Sequence, residues 1–218
     1  MPVLHLIPIV HTASELGKLR GAIRQPAEAN GDSSAVQQRI ESIGHFWELL
    51  RKSVLNWKID FNTTRIYQDA LPVMDERHQV VLDKIVTELA EKGSPNHEML
   101  CWLREQGAQL MGTESATLLR EEYALVKQAV TDQLHSADAT QRSTSRVDDS
   151  YYEVLLEKRD RFIAARIADT LQQTETGLLF IGMLHSVETF LPDSIAVQYP
   201  FGKPSRESLR VRRLNVQR

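Results

Sequence analysis

Apolar residues follow distinct rhythms along this chain, and each rhythm predicts a different element. Residues 3–10 (VLHLIPIV) and 177–182 (GLLFIG) are short, almost continuous apolar runs bounded by polar residues or glycine. That pattern predicts buried strands. Pro8 cannot donate to a ladder, so it is expected near a strand end or a bulge. Longer stretches repeat apolar residues at steps of three and four. Val36, Ile40, Ile43, Trp47, Leu50, Val54 and Trp57 form one helical stripe, with Ser33 or Ser34 placed to cap it. Leu82, Ile85, Val86 and Leu89 form a second within residues 75–92, and Leu119, Tyr123, Val126, Val130 and Leu134 a third. Gly93 followed by Ser94-Pro95 reads as a helix stop and a capped new start, and that helix ends at Gly107. Ser150-Tyr-Tyr-Glu153 is a capping box opening a helix that runs to about residue 173.

Weaker strand signals lie at residues 65–71 (RIYQDAL), stopped by Pro72, at 108–111 (AQLM) and at 194–197. Polar stretches interrupt the rhythms at residues 25–34 and 136–149. The second has too few apolar side chains to offset its ordering entropy, which predicts a mobile loop able to cover a site as a lid. The strand and helix signals alternate along the chain. This predicts an α/β fold, a mainly parallel central sheet of four to five strands flanked by helices. At 218 residues the expectation is one domain over residues 1–204, followed by a basic tail, 205–218, with five arginines.

Composition mostly excludes. A chain 42% hydrophobic and 25% charged is an ordinary globular one. It has no apolar run of about 18 residues and no basic, cleavable leader, so neither a membrane span nor a signal peptide is expected. The single cysteine, Cys101, excludes an internal disulfide and a CxxC zinc site, and makes the cytoplasm the expected compartment. A net charge of −3 argues against a nucleic-acid partner. The dinucleotide, P-loop, nucleophile-elbow and HExxH motifs are all absent.

Candidate chemistry comes from position. Parallel sheets bind ligands beyond the carboxyl ends of their strands. His11, Asp69, Glu114 and His185 stand at four such ends, and His185 follows the clearest strand. Two imidazoles and two carboxylates suit a divalent metal ion or general acid–base chemistry. The plain alternative is that Asp69 serves a turn and Glu114 a helix dipole. Arg159 is the sharper anomaly. At 100° per residue it falls within the apolar stripe of Tyr152, Leu156, Ile163 and Ile167, whereas Arg161 falls on the opposite face. A guanidinium there needs an anionic partner, either an internal carboxylate or a ligand. The remaining candidates have structural readings. His5 is expected as a hydrogen-bonded core residue, His78 as a satisfied histidine on an apolar helix face, His45, His97 and His135 at the surface, and Cys101 as a small buried hydrophobe.

Arg159-Asp160, followed by Gly177-LLFI-Gly182-Met-Leu-His185, resembles the C-terminal motif of the TraB/PrgY/Tiki superfamily. Pro8-Ile-Val-His11 occupies the place of its N-terminal GxxH motif, with proline in place of glycine, and Asp69 occupies the place of a strand-end carboxylate. The superfamily is similar in outline to ChaN-like haem-binding lipoproteins and erythromycin-esterase-like enzymes. The resemblance implies a site of His11, Asp69, Arg159 and His185; Glu114 comes from the strand-end argument alone. Together they lead to the expectation of a metal-dependent hydrolase acting on a small molecule or peptide. His11, Asp69 and His185 would be metal ligands, Glu114 a ligand or general base, and Arg159 the holder of a substrate carboxylate or oxyanion. The alternative is a non-enzymatic binding or sensor protein that uses Arg159 and the histidines for an anion or haem-like ligand.

Overall fold

Among the described residues, hydrophobic runs and stripes condense into five strands and five α-helices. The computed structural model describes residues 1–9, 33–135 and 149–203. His11, residues 136–148 of the polar stretch and the tail from residue 204 lie outside them. The strands are β1 (Val3–Ile9), β2 (Thr64–Gln68), β3 (Gln109–Met111), β4 (Thr176–Gly182) and β5 (Ala196–Gln198). They form one sheet in the order β3-β2-β4-β1-β5, with every pair parallel. The helices are α1 (Ser33–Leu55), α2 (Gln79–Glu91), α3 (Pro95–Glu105), α4 (Ala116–His135) and α5 (Asp149–Thr170). None of the described helices is long and apolar enough to cross a membrane.

The pleat divides the core in two. Ile7, Ile9, Ile66, Leu178 and Phe180 meet Trp47, Leu50 and Val54 of α1, Leu82 and Val86 of α2, and Met99, Leu100 and Leu103 of α3. Their neighbours in sequence, Leu6, Tyr67, Leu179 and Ile181, meet Ile163, Ala164 and Ile167 of α5 on the other face. A parallel sheet covered on both faces needs continuous apolar strands, which is why residues 177–182 carry no alternation. The division also follows from crossover chirality. The chain crosses from β1 to β2 and on to β3 in one direction, then returns to β4 and β5 in the other. A single crossover hand requires the two directions to cover opposite faces. Accordingly α1 to α3 pack on one face and α5 on the other.

Local signals act as expected at several points. Gly93 takes a positive φ of 78°, and Ser94 caps α3 by accepting the His97 N–H, with Pro95 in its first turn. Pro8 pairs with Ile181 one residue before the end of β1, past the stretch that pairs with β5. Cys101 is half-buried against the core, and burial pushes its thiol pKa up.

Other expectations are corrected. His97 is buried beside the Ser94 hydroxyl, because the cap folds its ring inward. His78 is exposed and pairs with Asp75 in the 3-10 turn Glu76–His78, ahead of the helix whose apolar face it was expected to join. His5 Nδ1 is buried without a hydrogen-bond partner among the described residues, and burial lowers its pKa. Tyr123 is 52% exposed, because α4 contacts little besides α5 and its half-buried face runs through Leu119, Glu122 and Val126 and leaves Tyr123 at its edge.

Two contacts at the rim generate predictions. A Cβ on Gly112 would run into the carbonyl oxygen of Pro72 and lie 2.7 Å from Val73 Cα. Gly112→Ala should therefore cost about 1–3 kcal/mol in urea unfolding, since backbone rather than a yielding side chain must move. At the opposite end of the sheet, Arg65 holds Glu175 through two bonds of 2.5 and 2.8 Å. The Arg65 hydrogen bond holds the Glu175 carboxyl below its ordinary pKa. A depressed folded pKa adds stability above the unfolded pKa that is lost as pH falls through the folded one. The melting-temperature gap between wild type and Glu175→Gln should be widest near neutral pH and close below the ordinary glutamate value of 4.5.

Candidate active site at the carboxyl ends of the strands

The site begins where β2 runs out. Asp69 follows Gln68 and continues the ladder, its N–H donating to Phe180 O at 2.9 Å. The pleat puts Tyr67 on the α5 face of the sheet, and Asp69, two residues on, shares that face. The chain then turns sharply through Ala70, a non-glycine at φ 62°. A left-handed alanine stores about 1 kcal/mol of strain, and such residues cluster at functional sites. The turn brings residues 71–73 alongside the segment leaving β3. Leu71 O accepts the N–H groups of Thr113 and Glu114, and Val73 N–H donates to Glu114 O. Glu114 is thus fixed by its backbone before α4 begins, and it is fully buried.

Arg159 of α5 fills the space between these carboxylates. It is 3% exposed. Its Nη2 donates to Asp69 Oδ1 at 2.9 Å and to Glu114 Oε1 at 2.5 Å, and its Nε donates to Glu114 Oε2 at 3.1 Å. Its Nη1 donates to Glu122 Oε1 on α4 at 2.5 Å. Burial disfavours the guanidinium charge, but Glu114, Asp69 and Glu122 outweigh it and raise the pKa. Of the two partners open to Arg159, the structure therefore supplies the internal carboxylates. Burial is the larger effect on Glu114. It raises that carboxyl above the ordinary range despite Arg159, and the neighbouring Asp69 adds to the rise.

His185 lies three residues beyond β4, its N–H returning to Gly182 O. Its side chain is 5% exposed. Nδ1 lies 2.5 Å from Asp160 Oδ1, while Asp160 Oδ2 accepts the Ser186 N–H at 2.9 Å. Nδ1 is placed to donate to the Asp160 carboxyl oxygen; burial opposes the charge of the imidazole, but Asp69 and Asp160 outweigh it and raise its pKa. Nε2 faces the cluster, 3.6 Å from Asp69 Oδ2, beyond hydrogen-bond range. Asp69 Oδ2 in turn accepts the Gly182 N–H at 3.0 Å.

Four predicted residues therefore meet: Asp69, Glu114, Arg159 and His185. His11 lies outside the described residues. Two participants were not predicted as site residues. Asp160 carried a readable signal, since it lies at helical spacing from Leu156, Ile163 and Ile167, the same stripe that exposed Arg159. Glu122 carried a weaker one, since it lies three residues from Leu119 and four from Val126 of the predicted α4 stripe.

Asp69, Glu114 and His185 each bring one ligand atom to a point, all within 4.8 Å of one another. Around them stand two further carboxyl groups, Glu122 and Asp160, and the Arg159 guanidinium. A nitrogen-and-oxygen donor set suits zinc, manganese or iron(II). An imidazole oriented from behind by a carboxylate is the usual outer support of a metal-bound histidine. The residues present fit a divalent cation. The fold and site define a parallel α/β protein with a buried carboxylate–imidazole–guanidinium centre at the carboxyl edge of its sheet. Comparison with protein-family models, with curated proteins and with solved structures finds no match.

Because Arg159 neutralises internal carboxylates, Arg159→Leu should strand buried charge. A loss of about 3–5 kcal/mol is expected in urea unfolding. An unchanged unfolding midpoint would contradict the structural role.

Proposed function

We propose that the protein is a metal-dependent hydrolase, with its centre at Asp69, Glu114 and His185. The observation that carries the proposal is the convergence of these three ligand atoms, all within 4.8 Å of one another. The resemblance to the TraB/PrgY/Tiki motifs supports Asp69 and His185, while Glu114 rests on its position at a strand end alone. A divalent cation held there would acidify a water molecule toward a pKa of about 7 and so supply a nucleophile at neutral pH. Asp69 and His185 would hold the ion. Asp160 pairs with Nδ1, so Nε2, which faces Asp69, would be the ligating nitrogen. Glu114 would be the third ligand or, with a carboxyl whose pKa burial raises, the group that accepts a proton from water. Arg159 holds Asp69 and Glu114 apart at bonding distance from one guanidinium. This role replaces that of an oxyanion holder, because four of its N–H bonds already go to carboxylates. The same occupancy weighs against the anion-binding alternative. The substrate class we propose is a small molecule or a peptide.

Elemental analysis of the purified protein, as isolated and after incubation with zinc or manganese(II), should find close to one equivalent of metal. His185→Gln and Asp69→Asn should lose it. A peptide and ester panel should be hydrolysed only by the metal-loaded protein. Protein that stays metal-free after reconstitution would overturn the proposal.

A further inference from the structure

The oxygens that a cation would need at this centre are oxygens that Arg159 already holds. One nitrogen, Nη2, bridges Asp69 Oδ1 and Glu114 Oε1, and Nε takes the other Glu114 oxygen. Two buried carboxylates this close cannot both ionise without a positive charge between them. The guanidinium supplies that charge where a metal ion would. A dication and a guanidinium crowded onto the same oxygens repel each other strongly in a buried setting. Both cannot keep their full complement of contacts.

Arg159 has a second seat. Its Nη1 bonds Glu122 Oε1 at 2.5 Å, and Glu122 belongs to α4 rather than to the strand ends. The Glu122 side chain is 23% exposed, whereas those of Asp69 and Glu114 are 5% or less. Tyr152 OH also donates to Glu122 Oε1 at 3.4 Å, which keeps that carboxylate turned toward α5. Arg159 can therefore give up Asp69 and Glu114 and remain paired. On the other side of the cluster, the buried His185 imidazole aims Nε2 at Asp69 without a hydrogen bond.

We propose that Arg159 is an internal counter-ion which a divalent cation displaces from Asp69 and Glu114 toward Glu122, so that Arg159 sets the affinity of the centre. The proposal rests on the metal-centre reading and adds its regulation. Loading the centre would tighten the α4–α5 contact through Arg159–Glu122, and the metal-free protein would be stabilised by the same guanidinium that weakens metal uptake.

The test measures binding of zinc and manganese(II) to wild type, Arg159→Lys and Arg159→Gln by titration calorimetry and thermal melting. Lysine keeps the charge but lacks the fork that spans both carboxylates. A gain in its affinity therefore reports freed oxygens and not a change of net charge. Arg159→Lys should bind at least about tenfold tighter than wild type, within the usual range of coupling between linked sites. Arg159→Gln should melt lower without the ion and show a larger ion-induced rise than wild type. If Arg159→Gln does not fold without the ion, Arg159→Lys decides. Wild type that binds the ion while Arg159→Lys binds it no tighter overturns the displacement and leaves the metal centre standing. Ion uptake by neither wild type nor the variants overturns both.

Discussion

A guanidinium with almost no exposed surface constrains everything around it. The charge of Arg159 cannot be relieved by losing a proton, so it must be met by carboxylates that are themselves buried. Meeting it draws in Asp69 from the end of β2, Glu114 from the segment after β3 and Glu122 from α4. These groups come from positions up to 90 residues apart in the chain. Each would be costly to bury alone, and the cluster is tolerable only because its members satisfy one another. The left-handed Ala70 and the close approach of Gly112 to Pro72 belong to the same arrangement, since both lie in the two segments that bring Asp69 and Glu114 together.

The sheet makes this convergence possible. Reversal of the crossover direction after β3 puts α5, together with Val187 and Ile195 from the segment after β4, against the face that carries Tyr67, Leu179 and Ile181. Pleat parity then turns Asp69 toward α5 and away from α1 to α3. One helix consequently serves both halves of the centre. Arg159 anchors the carboxylates of β2 and β3, and the next residue, Asp160, anchors the imidazole that follows β4. Adjacent helical residues diverge by about 100°, which lets one reach across to β2 and β3 while the other reaches toward β4. The centre packs the carboxyl groups of Asp69, Glu114 and Asp160 against the Arg159 guanidinium and the His185 imidazole, whose Nε2 lies 3.6 Å from Asp69 Oδ2.

Expectations failed where local pattern was a poor guide to packing. Helix α4 contacts little except α5, so its stripe of Leu119, Tyr123 and Val126 had no deep core to enter. Tyr123 stayed exposed, while Glu122 turned inward to a charge that the local sequence does not reveal. His97 and His78 exchanged their expected environments because capping and 3-10 geometry set their directions, and hydrophobic periodicity does not encode either.

The sequence by itself determined the α/β class, the elements and the oddity of Arg159. Apolar runs, stripes at steps of three and four, and glycine or serine punctuation are local features, and local forces decide them. It also determined that polar residues would crowd the carboxyl ends of β2 and β4, because a buried parallel strand can end only where its apolar run ends. Tertiary structure alone decided the strand order, the partners of Arg159, the pairing of Asp160 with His185, and the entry of Glu122. Those outcomes depend on which distant charges meet in a region without water, and no window of sequence contains both members of any such pair.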